Sequence, residues 1–133
     1  MPSKAPFARE DATPPMNRPR VYIAGPLSCG DRRRNLTRAA HAAHELIAAG
    51  FAPLCPQLTD ALDPTGSLGE GTWLEVDVAW LTVSEAVLRL PGESPSSDSL
   101  VAEARARGIA VVQAEDGRGL ARALGKLALL LPR

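Results

Sequence analysis

The sequence predicts an α/β fold: a single Rossmann-like, flavodoxin-like domain whose parallel sheet of four to five strands carries helices on both faces. Three observations lead there. Short apolar, β-branched runs alternate with segments of helical periodicity, and the strand-like runs stop at Gly or Pro. Crossovers joining such strands are right-handed, so strict alternation implies a parallel sheet buried on both sides.

The elements follow in order. Met1 to Arg18 holds Pro2, Pro6, Pro14 and Pro15 among mixed charges, too little apolar surface to offset the entropy of ordering, so a loose tail is expected. The domain then runs over residues 19–133, and at 133 residues the chain can bury one core, not two. Val21 to Ala24 is the first strand, turned by Gly25-Pro26. Between Asn35 and Ala49 the residues Leu36, Ala39, Ala40, Ala43, Leu46 and Ile47 recur at helical spacing, with Gly50 as the cap. Phe51 to Cys55 reads as a second strand, and Gln57 to Gly71 as a loop long enough to be a lid or binding loop. Thr72 to Val83 is a helix whose apolar face is set by Trp73, Val76, Trp80 and Leu81. A third strand at Glu85 to Leu90, a loop at Pro91 to Ser97, a helix at Asp98 to Arg107, a fourth strand at Ile109 to Val112 and a last helix at Leu120 to Leu131 complete the pattern.

Composition excludes some classes of function. Fifteen basic and fifteen acidic residues cancel, so no global field draws the chain to nucleic acid or to an acidic membrane, and any anion site must be local. No run is apolar enough for a membrane span. Cys29 and Cys55 have no paired spacing, which fits two free thiols in a reduced, cytoplasmic protein. His41 and His44 lie three apart on a helix without a ligand cluster, so no metal and no cofactor is expected.

Ligands of parallel sheets bind beyond the carboxyl ends of the strands, which directs attention to the loops Gly25 to Arg34, Pro56 to Gly71 and Pro91 to Ser97. The first places Ser28 and then Arg32, Arg33 and Arg34 at a helix start, where backbone N–H groups and the helix dipole favour an anion. Solvated arginines behind an Asp31 N-cap are the alternative. Asp77 falls within the apolar face of its helix, four after Trp73, where a carboxylate is costly unless it turns to water at the helix edge, is hydrogen-bonded or lines a ligand site. Ser94, Ser96, Ser97 and Ser99 precede or open the next helix, as anion ligands or as caps, with Asp98 as a candidate N-cap or first-turn residue.

Three segments taken together, YIAGPLS at Tyr22 to Ser28, WLEVDVAWL at Trp73 to Leu81 and LPGESPSSDSLVAEARARGI at Leu90 to Ile109, resemble the nucleoside 2-deoxyribosyltransferase-like superfamily. The resemblance runs from about Arg20 to Val112. That family includes the transferases, the deoxynucleoside monophosphate and CMP N-glycosidases, and small relatives whose third segment usually reads like LPGxSxGADxEVxxAxxxGIPV. The resemblance implies a Rossmann-like fold and cleavage or exchange of an N-glycosidic bond through a glutamate nucleophile at C1 of the sugar, assisted by an aspartate on the preceding helix. By position, Asp77 matches the assisting aspartate, and Ser94 matches the serine that binds a 5'-phosphate. Tyr22, Gly25 and the loop through Arg34 match the lining of the sugar and phosphate. A homodimer is implied as well.

The nucleophile position departs from this pattern. Spacing back from Gly108 and Ala104 puts the glutamate where this chain has Leu100, and Ser96 and Ser97 replace the flanking glycine and alanine. Leucine can neither form a glycosyl ester nor move a proton. The expected function is therefore a nucleoside or nucleotide pocket that binds rather than cleaves. One alternative is an active N-glycosidase or deoxyribosyltransferase using Asp98 or Glu103 as a relocated carboxylate. The other is a regulatory subunit that has kept the scaffold and lost the ligand.

Overall fold

The structure, a computed structural model, describes residues 17–132, so residues 1–16 of the tail expected over residues 1–18 lie outside the described residues. Arg18, counted in that tail, is docked: its guanidinium donates to the carbonyls of Ile47 at 3.1 Å and Phe51 at 2.9 Å, tying the entry of the first strand to the end of the first helix.

Four strands, β1 (Arg20–Ala24), β2 (Ala52–Leu54), β3 (Ala86–Arg89) and β4 (Ala110–Gln113), form one sheet in the order β2-β1-β3-β4 with every pair parallel. The helices are α1 (Arg32–Ala48), α2 (Gly69–Leu81), α3 (Pro95–Ala106) and α4 (Gly119–Leu130). Side chains alternate across the strands and so build two cores. On one face Val21, Ile23, Leu88 and Val112 meet Ala42 and Leu46 of α1 and Ala123 and Leu127 of α4. On the other, Tyr22, Ala24 and Val87 meet Leu81 of α2 and Leu100, Val101 and Ala104 of α3. This is the expected α/β sandwich, with four strands. From β1 the chain crosses outward to β2, and from β3 outward to β4 on the other side, so the order reverses between β1 and β3. A ligand crevice belongs beyond that pair.

Several boundaries move, each for a local reason. The first helix starts at Arg32, three residues earlier than its apolar pattern, because the Asp31 carboxylate caps it by accepting from the Arg34 amide at 3.1 Å. Buried Asn35 donates to the carbonyls of Leu27 and Cys29, pinning the turn after β1. The long loop is partly helical: Pro56–Leu62 is a 3₁₀ helix and α2 begins at Gly69. Asp63 organises the join, accepting from the Ser67 and Leu68 amides and from the Trp73 indole, and these donors, the indole first, hold its carboxyl below the usual carboxylate range.

The apolar face of α2 also differs from the expected one. Leu81 is buried and Val78 packs beside it, whereas Val76 and Trp80 are exposed, Trp80 by 55 %. Apolar residues lie on all sides of this helix, so spacing alone does not choose the side that meets the sheet. Among the described residues no helix is long and apolar enough to cross a membrane.

Candidate functional site

An open cavity of about 130 Å³ lies at the carboxyl end of β1, on the α2 and α3 side of the sheet. Tyr22 and Gly25 form its floor, Asp77 comes from α2, Ser96 and Leu100 from α3, and Gln57 from the 3₁₀ segment. Each reaches it through a local feature. Tyr22 points to this face because β1 places alternate residues on it. Gly25 lets the chain turn against β3: a Cβ there would stand 3.0 Å from the Leu90 Cβ and 3.3 Å from the Gln57 amide nitrogen. Gln57 is held by a short relay, in which the Cys55 thiol donates to its Oε1 at 3.3 Å and its Nε2 donates to the Gly25 carbonyl at 3.3 Å. Burial pushes the Cys55 thiol up, so it remains a protonated donor.

Tyr22 and Asp77 are the informative pair. The Tyr22 side chain is fully buried, and its hydroxyl is the one buried side-chain polar atom among the described residues with no hydrogen-bond partner. It is close enough to Asp77 for each to perturb the other, yet no hydrogen bond of normal geometry joins them. Burial raises the Asp77 carboxyl above the ordinary aspartate range. Burial, and then the negative charge of Asp77, pushes the Tyr22 phenol far up, so it stays a neutral donor. An unmatched donor in low-dielectric surroundings costs about 1–3 kcal/mol, which a ligand oxygen would recover.

A carboxyl raised by burial favours the protonated form in the fold, so its contribution is fully present below the unfolded pKa and is lost as pH rises through the folded one. Asp77→Asn is therefore expected to raise the melting temperature near pH 7 and to leave it unchanged below about pH 3, where aspartate is largely neutral in both states. Equal gains at both pH values would show that the carboxylate carries no burial cost.

The N-terminus of α3 differs from its expected form. The helix starts at Pro95, its N-cap is Ser94, and Asp98 stands in the first turn, the other of its two expected places: Ser94 Oγ accepts from the Ser97 amide at 3.2 Å and donates to Ser97 Oγ at 2.8 Å. Proline is favoured at the first helical position, where no N–H is needed. Buried Ser94 is thus committed to the cap and does not line the cavity, whereas Ser96 and Ser97 do.

The other expected site residues are more scattered. Ser28 does not line the cavity, and neither do Arg32, Arg33 and Arg34; Arg33 and Arg34 border a separate open depression with Thr37, Arg38 and His41. Asp98 pairs at 3.0 Å with Arg89, and Glu103 pairs with Arg107 one turn along α3 at 3.4 Å. Neither carboxylate lines the cavity. Leu100 does, 5 % exposed. Gln57 was not foreseen, and a lone amide opening a polar loop carries no signal that could single it out. No family model matches the chain, and no curated protein matches it.

Proposed function

We propose that the protein binds a nucleoside or nucleoside 5'-monophosphate, with the sugar in the cavity at the end of β1, and does not cleave the N-glycosidic bond. The observation that carries this reading is the buried Tyr22 hydroxyl, left without a partner on a side chain that lines an open cavity together with Asp77. Whole-ligand pockets usually enclose roughly 300–1,000 Å³. A cavity of about 130 Å³ suits one polar ring, leaving the base and phosphate at the open rim. A 5'-phosphate would meet Ser96 and the positive end of α3, taking the place expected of Ser94. Leu100 supplies neither nucleophile nor acid, which favours binding over cleavage. A homodimer belongs to the same proposal, because α2 leaves Leu74, Val76 and Trp80 exposed.

The test is a panel of nucleosides and nucleoside 5'-monophosphates, scored together for thermal shift, free base and sedimentation. A raised melting temperature without base release is expected. Tyr22→Phe sharpens it through effects of opposite sign: the unliganded fold gains stability because an unmatched hydroxyl is gone, while ligand binding weakens about tenfold. Absence of any shift across the panel would end this reading, and base release by the wild-type chain would end its non-cleaving part.

A further inference from the structure

We propose that the open edge of the sheet at β4 is a docking groove for an acidic, extended peptide segment of a partner protein, which adds to the sheet as a fifth strand. The two sheet edges are treated differently by the sequence. At one, β2 is three residues long and carries Pro53, which cannot donate to a further strand. At the other, β4 reads Ala-Val-Val-Gln, without proline or charge, and so lacks the devices that usually blunt an edge.

The backbone of β4 is set up for pairing. The Ala114 amide donates to the Arg89 carbonyl at 2.8 Å, so residues 110, 112 and 114 face β3, and by the period of two Val111 and Gln113 turn their N–H and C=O groups outward. Both residues line an open groove of about 600 Å³ between α3 and α4. Its apolar wall includes Leu129 and Leu130, the former 85 % exposed.

Charge selects the occupant. Arg105 of α3 and Arg122 and Lys126 of α4 line the groove against one carboxylate, Glu115, and none of the three cations has an ion-pair partner among the described residues. Arg122 and Lys126 stand one helical turn apart, so both address the same flank. A second copy pairing β4 to β4 would bring these cations against their own kind. A segment with carboxylates on alternate residues would turn them all to one face of the sheet, toward Arg122 and Lys126 of α4, its amides meeting Val111 and Gln113.

The probe is a fluorescein-labelled peptide of alternating Glu and Val, about eight residues, long enough to span the strand at roughly 3.3 Å per residue. Anisotropy is followed on the full chain, and hydrogen exchange is read at the Val111 and Gln113 amides. Saturable binding is expected, with exchange at both amides slowed at least about tenfold. Affinity should fall at least about tenfold when alternate peptide amides are N-methylated, and likewise in the exposed double variant Arg122→Glu/Lys126→Glu. Absence of binding, or equal affinity for the N-methylated peptide, overturns strand addition. Protection of both amides by raising the concentration of the protein alone would assign the edge to a second copy and overturn it too.

Discussion

Leu100→Glu is expected to release free base from a nucleoside 5'-monophosphate at least about a hundredfold faster than the wild-type chain, the lower end of what one positioned catalytic group contributes. The position lines the cavity beside Asp77 and Tyr22, so a carboxylate there would face the C1 atom of a sugar held above β1. Its oxygen would attack C1 as the C–N bond breaks, and the leaving base would take a proton from Asp77, whose burial lets it keep that proton above the ordinary aspartate range. Water would then hydrolyse the glycosyl ester, returning the glutamate and free sugar phosphate.

The same substitution has a stability cost with a definite sign. Leu100 is almost fully buried, and a glutamate there adds a second desolvated carboxyl near the first. Two such groups hold a proton between them, so the variant should lose stability as pH rises and work best on the acidic side of neutrality. Leu100→Gln is the control, similar in shape without a nucleophile. If Leu100→Glu folds and binds the nucleotide but releases base no faster than Leu100→Gln, the cavity does not present C1 to this position.

What was legible in the sequence depended on which residues answer to a single neighbour and which to many. The β1 run and its Gly25 turn are local matters of propensity and close approach, and both stand as read. The cap of α3 is equally local, since Ser94-Pro95 is an N-cap followed by proline at the first position, which leaves Asp98 to the first turn, where a carboxylate complements the helix dipole. The orientation of α2 was not local. With Trp73, Leu74, Val76, Val78, Trp80 and Leu81 distributed around the helix, its inward side is decided by the sheet and by the Asp63 clamp on Trp73. Asp77 lines the cavity, and a carboxylate amid apolar neighbours needs a polar or open setting whichever side is buried. Arg32, Arg33 and Arg34 open α1 as the spacing suggests, but none of them lines the cavity, because the turn between β1 and Asp31 separates that helix start from it in the chain.

Arg89→Leu should cost about 3 kcal/mol of folding stability and, with it, most of the nucleotide-induced thermal shift. Arg89 ends β3 almost completely buried, and its guanidinium donates to the carbonyls of Leu90 and Gly92 and to the Asp98 carboxylate. Those two carbonyls belong to the turn that delivers Ser94 to its cap, and the cap in turn sets where Ser96, Ser97 and Leu100 meet the cavity. Leucine keeps the apolar stem but strips the buried Leu90 carbonyl of its donor, at about 1–3 kcal/mol, and releases the more exposed Gly92 carbonyl to water. The ion pair itself is the smaller part. The Asp98 side chain is 70 % exposed, so Asp98→Ala should cost under about 1 kcal/mol, comparable to other solvated pairs. Urea denaturation of the two variants separates these contributions. Equal losses would mean that the charge pair, not the hold on the turn, is what Arg89 supplies, and the path from β3 through the Ser94 cap to the cavity would have to be abandoned.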